Sequence, residues 1–260
     1  MSVKLDGNIL VTGTSRGIGL EFVKQLAEKT QQEAHIYASC RDPKGAKPLT
    51  DLVTQFPGKI TVIKLDTSDE DSISAAFQML NRQVGSAGLN LLINNAALNK
   101  PAAPGSMKDT SKKDMMEVYE TNVAGPFILT KVFLPLLQRA AKTKDNGDEM
   151  SCRRSAIINI STLLSSMEKC SETFQAAQMY PYRTSKAALN MLTCCQAEDL
   201  KDHKILVTAI HPGWVRTDMG GDQAPLTTQD SVAGMLDVMS TLTGRHTGLL
   251  LDWEGNIIPW

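Results

Sequence analysis

Nowhere in the chain do as many as roughly 18 uncharged apolar residues follow one another, the run that a membrane-spanning helix needs. A long basic run is lacking too. The 27 lysines and arginines against 28 acids leave a net charge of −1, which argues against nucleic acid as the main partner, where a basic stripe is expected. Met1-Ser2-Val3-Lys4-Leu5-Asp6-Gly7 runs almost directly into an apolar strand, with no charged-then-apolar secretory leader before it. The five cysteines, Cys40, Cys152, Cys170, Cys194 and Cys195, are odd in number and lack ligand spacing, so neither a metal site nor a disulfide framework is expected. Cys194 and Cys195 are adjacent and read as helix packing residues. These absences point to a reduced, cytoplasmic protein with no membrane, metal or nucleic-acid partner.

What the chain does contain is alternation. Short apolar runs at Asn8 to Thr12, His35 to Cys40, Ile60 to Leu65, Leu89 to Asn94, Ser155 to Ile160 and Ile205 to His211 read as strands, with a short seventh at Gly248 to Leu251. Between them, helical spacing is expected over Glu21 to Lys29, Leu49 to Phe56, Asp114 to Ala140 and Tyr182 to Leu200. Ser68-Asp69-Glu70-Asp71 reads as a further helix start, with acids in the first turn. The polar stretch Lys142 to Arg154 reads as a solvated loop. Strand-helix alternation of this kind implies an α/β domain with a doubly wound parallel sheet of about seven strands and helices on both faces. With no linker or repeat in its 260 residues, the chain is expected to be one domain.

Two strings carry chemistry. Thr12-Gly13-Thr14-Ser15-Arg16-Gly17-Ile18-Gly19 follows the first strand and opens the first helix, the context that a dinucleotide cradle requires. Gly13 permits the tight turn, Gly17 lets the backbone approach a pyrophosphate, and Gly19 permits close helix packing. The anion then sits on the helix N-terminus. Glycine-rich turns of this sort also serve packing alone. The second string, Tyr182-Arg183-Thr184-Ser185-Lys186, sets a phenol and an ammonium four residues apart, on one face of a helix. A nearby cation favours the phenolate, so Lys186 is expected to lower the tyrosine pKa from about 10 and make Tyr182 an acid-base group. Tyr180 has only Thr184 at the same spacing. A tyrosine and a lysine on an ordinary helix is the bland alternative.

Thr12-Gly13-x-x-x-Gly17-x-Gly19, Asp66, Asn94-Asn95-Ala96-Ala97, Asn122, Asn159-Ile160-Ser161-Thr162, Tyr182-x-x-x-Lys186 and Pro212-Gly213 together resemble the ordered signatures of the short-chain dehydrogenase/reductase family, over essentially the whole chain. The runs Tyr182 to Asn190 and His211 to Gly221, and the pair Pro259-Trp260, resemble the sniffer-type carbonyl reductases within it. The resemblance implies a Rossmann fold and NADPH-dependent reduction of carbonyl compounds, with Asn122, Thr162, Tyr182 and Lys186 as the catalytic set. Tyr182 would protonate the carbonyl oxygen, and Lys186 would also bind the nicotinamide ribose. Asn122 would distort its helix and hold a water that resupplies protons. The cofactor would touch Gly13, Ser15, Arg16, Gly17, Ile18, Gly19, Arg41, Asp66, Thr67, Asn95, Ala96, Ala97, Tyr182, Lys186, Pro212, Gly213, Val215 and Thr217. For Asn94 a structural role in the sheet is at least as well founded, and Asp66 also reads as an exposed strand-end acid.

Thr162 departs from the family, whose corresponding position is the second of two serines. Successive strand side chains point to opposite faces, so Ser161 and Thr162 are not expected to serve one carbonyl, and Thr162 is the expected donor. Ser161, Trp214 and Met219 are the remaining substrate candidates. No acid ends the second strand, and Arg41 follows at once in Ala38-Ser39-Cys40-Arg41-Asp42-Pro43. An arginine there accommodates a 2′-phosphate; Arg16 is a second clamp, and Asp42 belongs to the turn. NADPH is therefore expected over NADH. A small substrate lobe is expected around 211–240, walled by Ser165 to Met179 and by the rim Asn99 to Ser106. Aldehydes, quinones, steroids and dicarbonyls all fit. A non-catalytic NADPH-binding regulator and a methyltransferase on a similar fold remain open, as does a homodimer through Asp114–Ala140 and Tyr182–Leu200.

Overall fold

The computed structural model describes residues 5–102, 104–142 and 149–260. Positions 1–4, position 103 and positions 143–148 of the expected polar loop lie outside the described residues. Seven strands form one all-parallel sheet in the order β3-β2-β1-β4-β5-β6-β7. They are β1 (Asn8–Thr12), β2 (His35–Cys40), β3 (Ile60–Lys64), β4 (Leu91–Asn94), β5 (Ala156–Ile160), β6 (Leu206–His211) and β7 (Leu250–Asp252). The helices are α1 (Gly17–Lys29), α2 (Lys47–Gln55), α3 (Glu70–Val84), α4 (Lys112–Tyr119), α5 (Gly125–Ala141), α6 (Cys170–Thr173), α7 (Tyr180–Asp199) and α8 (Thr228–Thr241). None of the described helices is long and apolar enough to cross a membrane.

The strands are apolar on both faces because both are covered by helices. Ile9, Val11, Leu91, Ile93 and Ile158 pack with Phe22 and Leu26 of α1, Leu49 of α2 and Met235 and Met239 of α8. The alternate residues Leu10, Leu92, Ile157 and Val207 pack with Leu80 of α3, Phe133 and Leu137 of α5 and Ala197 of α7. The helical half of the segment 211–240 therefore belongs to the core. The sheet order reverses between β1 and β4, and ligands bind outside the carboxyl ends of the strands at such a switch point.

Element boundaries differ from expectation where side chains intervene. α1 starts at Gly17, four residues early, because extended Arg16 (φ −163°) is its N-cap. Asp69 caps α3 by accepting from the Asp71 and Ser72 N–H groups. Asn90 belongs to the turn ahead of β4, where its Oδ1 accepts from Asn8 N–H at 3.0 Å and its Nδ2 donates to Arg153 O at 2.9 Å. The single long helix expected from Asp114 to Ala140 is two helices joined through a π-turn at Glu120–Ala124. α7 begins at Tyr180, with Pro181 in its first turn, a position where the missing N–H costs nothing.

Candidate active site

The glycine turn is held from beneath. Thr14 N–H and Oγ1 both donate to Ser39 O, at 3.0 and 3.1 Å, and Asn95 Nδ2 donates to Thr12 O and Gly13 O at 2.8 and 3.2 Å. Thr12 Oγ1 accepts from the N–H groups of Asn95 and Ala96. Asn95 thus ties the loop after β4 to the glycine turn through its side chain, and Ala96 lies against Gly13, where a Cβ would come within 2.9 Å of Ala96 Cα. Gly17 has φ +57° and faces Thr217, whose Cγ2 would lie 3.4 Å from an added Cβ. No side chain caps the first turn of α1, which leaves its N-terminal N–H groups without a side-chain partner, with Ser15, Gly17 and Ile18 half-buried around exposed Arg16. The segment after β6 reaches this turn: Arg16 Nε lies 3.1 Å from Asp218 Oδ2, an exposed ion pair.

Arg41 is exposed directly after β2, and Asp42 Oδ1 accepts from Lys44 N–H at 3.2 Å, the turn role expected of it. Asp66 Oδ1 accepts from Ser68 N–H at 3.0 Å while Asp66 N–H donates to Ser72 Oγ at 2.9 Å. Thr67 O abuts the start of α5 at Gly125. Asn94 is tied into the sheet by its Nδ2, which donates to Asn159 Oδ1 at 2.8 Å, and Asn159 continues to Thr193 Oγ1 at 2.9 Å.

Asn122 is fully buried within the π-turn, a local widening common at functional sites. Its Oδ1 accepts from Leu98 N–H at 2.8 Å, and its Nδ2 donates to Leu98 O at 2.9 Å and Ser185 Oγ at 3.0 Å. One carboxamide therefore joins the loop after β4 to α7, a residue before Lys186. The helix distortion expected at Asn122 is this turn.

Lys186 is buried and donates from Nζ to Ile160 O at 2.7 Å, while Nζ also lies 5.8 Å from the centroid of the Tyr182 ring. The tyrosine is half-buried. Burial pushes its phenol up to about 12 and pushes Lys186 down to about 7. The expected lowering of the tyrosine by its lysine is thus corrected: desolvation dominates both groups, and each is biased towards its neutral form.

Ser161 and Thr162 diverge as strand alternation requires. Ser161 Oγ donates to Asn190 Oδ1 at 2.6 Å, and Asn190 Nδ2 donates to Ser165 Oγ at 2.7 Å. Thr162 Oγ1 accepts from Leu164 N–H at 3.2 Å, which leaves its own proton to offer. Asn190 and Ser165 were not singled out from sequence; the only signal was Asn190 two turns along the helix from Tyr182. Above the site, Gly213 (φ +81°) turns the chain against Leu226 and Trp253, and Pro212 O accepts from Ser231 Oγ. Val215 bridges to Leu226. Trp214 and Met219 are exposed, with Trp214 Nε1 donating to Gly220 O at 2.8 Å.

A doubly wound sheet with a glycine turn at its switch point and a buried lysine one helical turn below a tyrosine defines an α/β oxidoreductase. Residues 7–226 match the model of the short chain dehydrogenase family, and the chain belongs to that family. It is similar to a short-chain dehydrogenase of Penicillium roqueforti, 30% identical over 258 residues that cover 97% of this chain and 96% of the relative. The NADPH-bound carbonyl reductase from chicken fatty liver superposes with a TM-score of 0.92 at 41% identity, over 99% of this chain and 96% of that one. The carbonyl reductase Sniffer of Drosophila melanogaster superposes with a TM-score of 0.91 at 32% identity, over 98% and 100% of the two chains.

Proposed function

We propose that this chain is an NADPH-dependent carbonyl reductase of the sniffer type, converting small aldehydes, ketones or quinones to alcohols with Tyr182 as general acid. The observation that carries the reading is the arrangement around β5. Lys186 is anchored on Ile160 O beneath Tyr182, and Thr162 follows on the same strand end with a proton to donate. NADPH fits the groups present: an uncapped helix N-terminus suits its pyrophosphate, and Arg41 and Arg16 suit its 2′-phosphate. The likeness to the NADPH-bound chicken enzyme supports the same choice.

When bound, NADPH supplies a hydride to the carbonyl carbon. Thr162 Oγ1 donates a hydrogen bond to the substrate oxygen and so polarises the carbonyl. Tyr182 gives that oxygen its proton, and Lys186, in its protonated form, would stabilise the phenolate left behind and would hydrogen-bond the ribose of bound NADPH. Asn122 holds α7 to the loop after β4 and supports the path that returns a proton to the pair. Thr67, Ala97, Val215 and Thr217 would complete the cofactor contacts, and Trp214 and Met219 would border the substrate, with Ser161 behind them, bonded to Asn190. The loop after Pro212 forms the substrate lobe with the walls at 165–179 and 99–106. Exposed Met116, Tyr119, Phe127 and Met191 on α4, α5 and α7 suit a homodimer, and the reading places the enzyme in the cytoplasm.

The test is NADPH oxidation against an aldehyde, a quinone, a dicarbonyl and a steroid ketone, with Tyr182→Phe as control. Turnover should fall by roughly two to four orders of magnitude in the variant, the usual worth of a general acid, while NADPH still raises the melting temperature of both proteins. Thr162 in place of serine favours a second reading, a non-catalytic NADPH-binding regulator. A melting shift with NADPH but no turnover of any carbonyl would select it.

A further inference from the structure

Arg183 sits between Tyr182 and Lys186, yet its side chain reaches into the segment before α7. It is 7% exposed and forms no ion pair among the described residues. Burial of an uncompensated cation is costly unless hydrogen bonds replace its water, and burial lowers the pKa of this guanidinium accordingly. Here one stretch of chain supplies the replacement for Nε and Nη1, while Nη2 is buried without a hydrogen-bond partner among the described residues. Nε donates to Ala177 O at 2.7 Å, and Nη1 donates to Leu164 O at 3.2 Å and Thr173 Oγ1 at 3.0 Å. The guanidinium also lies 5.7 Å from the Phe174 ring centroid, and Phe174 meets Tyr180 edge-on.

Leu164 makes this more than loop anchoring. Its N–H is the group that holds Thr162 Oγ1, at 3.2 Å, and its C=O is the group that Arg183 holds. Thr162 stands at the end of β5 and Tyr182 on the first turn of α7, two elements with separate origins in the chain. Arg183 belongs to the same helical turn as Tyr182 and grips the residue that orients Thr162.

We propose that Arg183 is a positioning residue: through Leu164 it fixes the Thr162 hydroxyl relative to the Tyr182 hydroxyl, so that both meet one substrate oxygen. The inference rests on the carbonyl reductase reading. A misplacement of about 1 Å at a reacting group is worth on the order of a hundredfold in rate, so a latch of this kind is felt in catalysis before it is felt in binding of the cofactor.

The experiment is a double-mutant cycle of Arg183→Met with Thr162→Ala, reading kcat/KM for a carbonyl substrate, the NADPH dissociation constant and the melting temperature. Arg183→Met keeps the aliphatic stem and removes the fork. It should lower kcat/KM by roughly tenfold or more while the NADPH constant moves by no more than about twofold. Thr162→Ala should cost roughly a hundredfold in the wild-type background but less than about tenfold in the Arg183→Met background, because the hydroxyl is already misplaced there. A lysine lacks the planar fork, so Arg183→Lys should behave like Arg183→Met in the cycle and replaces it if the methionine variant does not fold. Costs that multiply, or a loss of NADPH affinity equal to the loss of kcat/KM, overturn the assignment and leave the reductase reading standing. A wild-type protein that turns over no carbonyl overturns both.

Discussion

The protons of Ser161 and Thr162 have opposite destinations although the residues are neighbours. Ser161 gives its proton to Asn190 Oδ1 inside the protein, whereas Thr162 Oγ1 accepts from Leu164 N–H, and the proposed reaction uses its own proton on the substrate oxygen. Removing an aimed donor from a developing oxyanion costs roughly a hundredfold or more in rate. Removing the serine hydroxyl instead leaves the Asn190 acceptor unpaired, a stability cost of about 1–3 kcal/mol. Thr162→Ala is therefore expected to lose activity at near-normal melting temperature, and Ser161→Ala to lose melting temperature with activity largely kept. Steady-state kinetics and thermal denaturation of the two variants check this, and equal activity losses or the reverse order would sink the assignment. The alternation behind it was legible in Asn159-Ile160-Ser161-Thr162, because a strand fixes which neighbours share a face. The protonation of Tyr182 was not. Its i, i+4 spacing from Lys186 shows that the two are close, but the burial that sets both groups depends on what the fold packs around them, which the spacing does not show.

At the scale of elements, the glycine turn shows two kinds of requirement. Gly17 needs its backbone conformation, φ +57°, whereas Gly19 needs space: an added Cβ would come within 2.1 Å of Gly13 O and 2.6 Å of Asn95 Nδ2. Gly19→Ala must therefore push α1 away from the turn or dislodge the Asn95 clamp. Overpacking of this kind costs typically about 1–3 kcal/mol, which in a domain of this size lowers the melting temperature by roughly 2–12 °C. The melting rise caused by NADPH should shrink at the same time, since the turn is what the pyrophosphate would meet. Calorimetry with and without NADPH tests both, and a Gly19→Ala protein that melts like wild type would show that the close approach is not maintained. The packing role of Gly19 was readable from its place after the turn. The π-turn in the helix expected from Asp114 to Ala140 was hidden, because apolar residues continue through it in Val118, Val123, Leu129 and Phe133. The one local hint was Asn122, a poor helix former whose side chain bonds Leu98 and Ser185 instead of water.

Across the whole molecule, the strands were the most legible feature because a parallel sheet covered on both faces needs near-continuous apolar runs, while the segment 228–241 shows only in the fold that it completes the core against α1. The same burial makes stability depend on pH through two basic groups, His211 at the end of β6 and Lys186 on α7. His211 ends β6, its Nδ1 is buried without a hydrogen-bond partner among the described residues, and burial pushes it down to about 4 from 6.5, against a smaller upward pull from Asp252. Lys186 is pushed from 10.5 down to about 7. In both cases the unfolded chain binds a proton that the folded chain refuses between the two values, so stability falls as pH falls across each interval. For Lys186 the loss runs from above pH 10 down to about 7; for His211 it runs from 6.5 to about 4. The second interval amounts to on the order of 3 kcal/mol. His211→Gln keeps a polar side chain but cannot take the proton, so its stability should stay nearly level where the wild type declines, while both proteins gain stability together from pH 7 to 9. Urea denaturation at pH 7, 5.5 and 4.5 distinguishes the cases. Wild-type and His211→Gln curves that fall in parallel below pH 6.5 would mean that the imidazole is not held neutral by the fold and that carboxylates elsewhere set the acid limit.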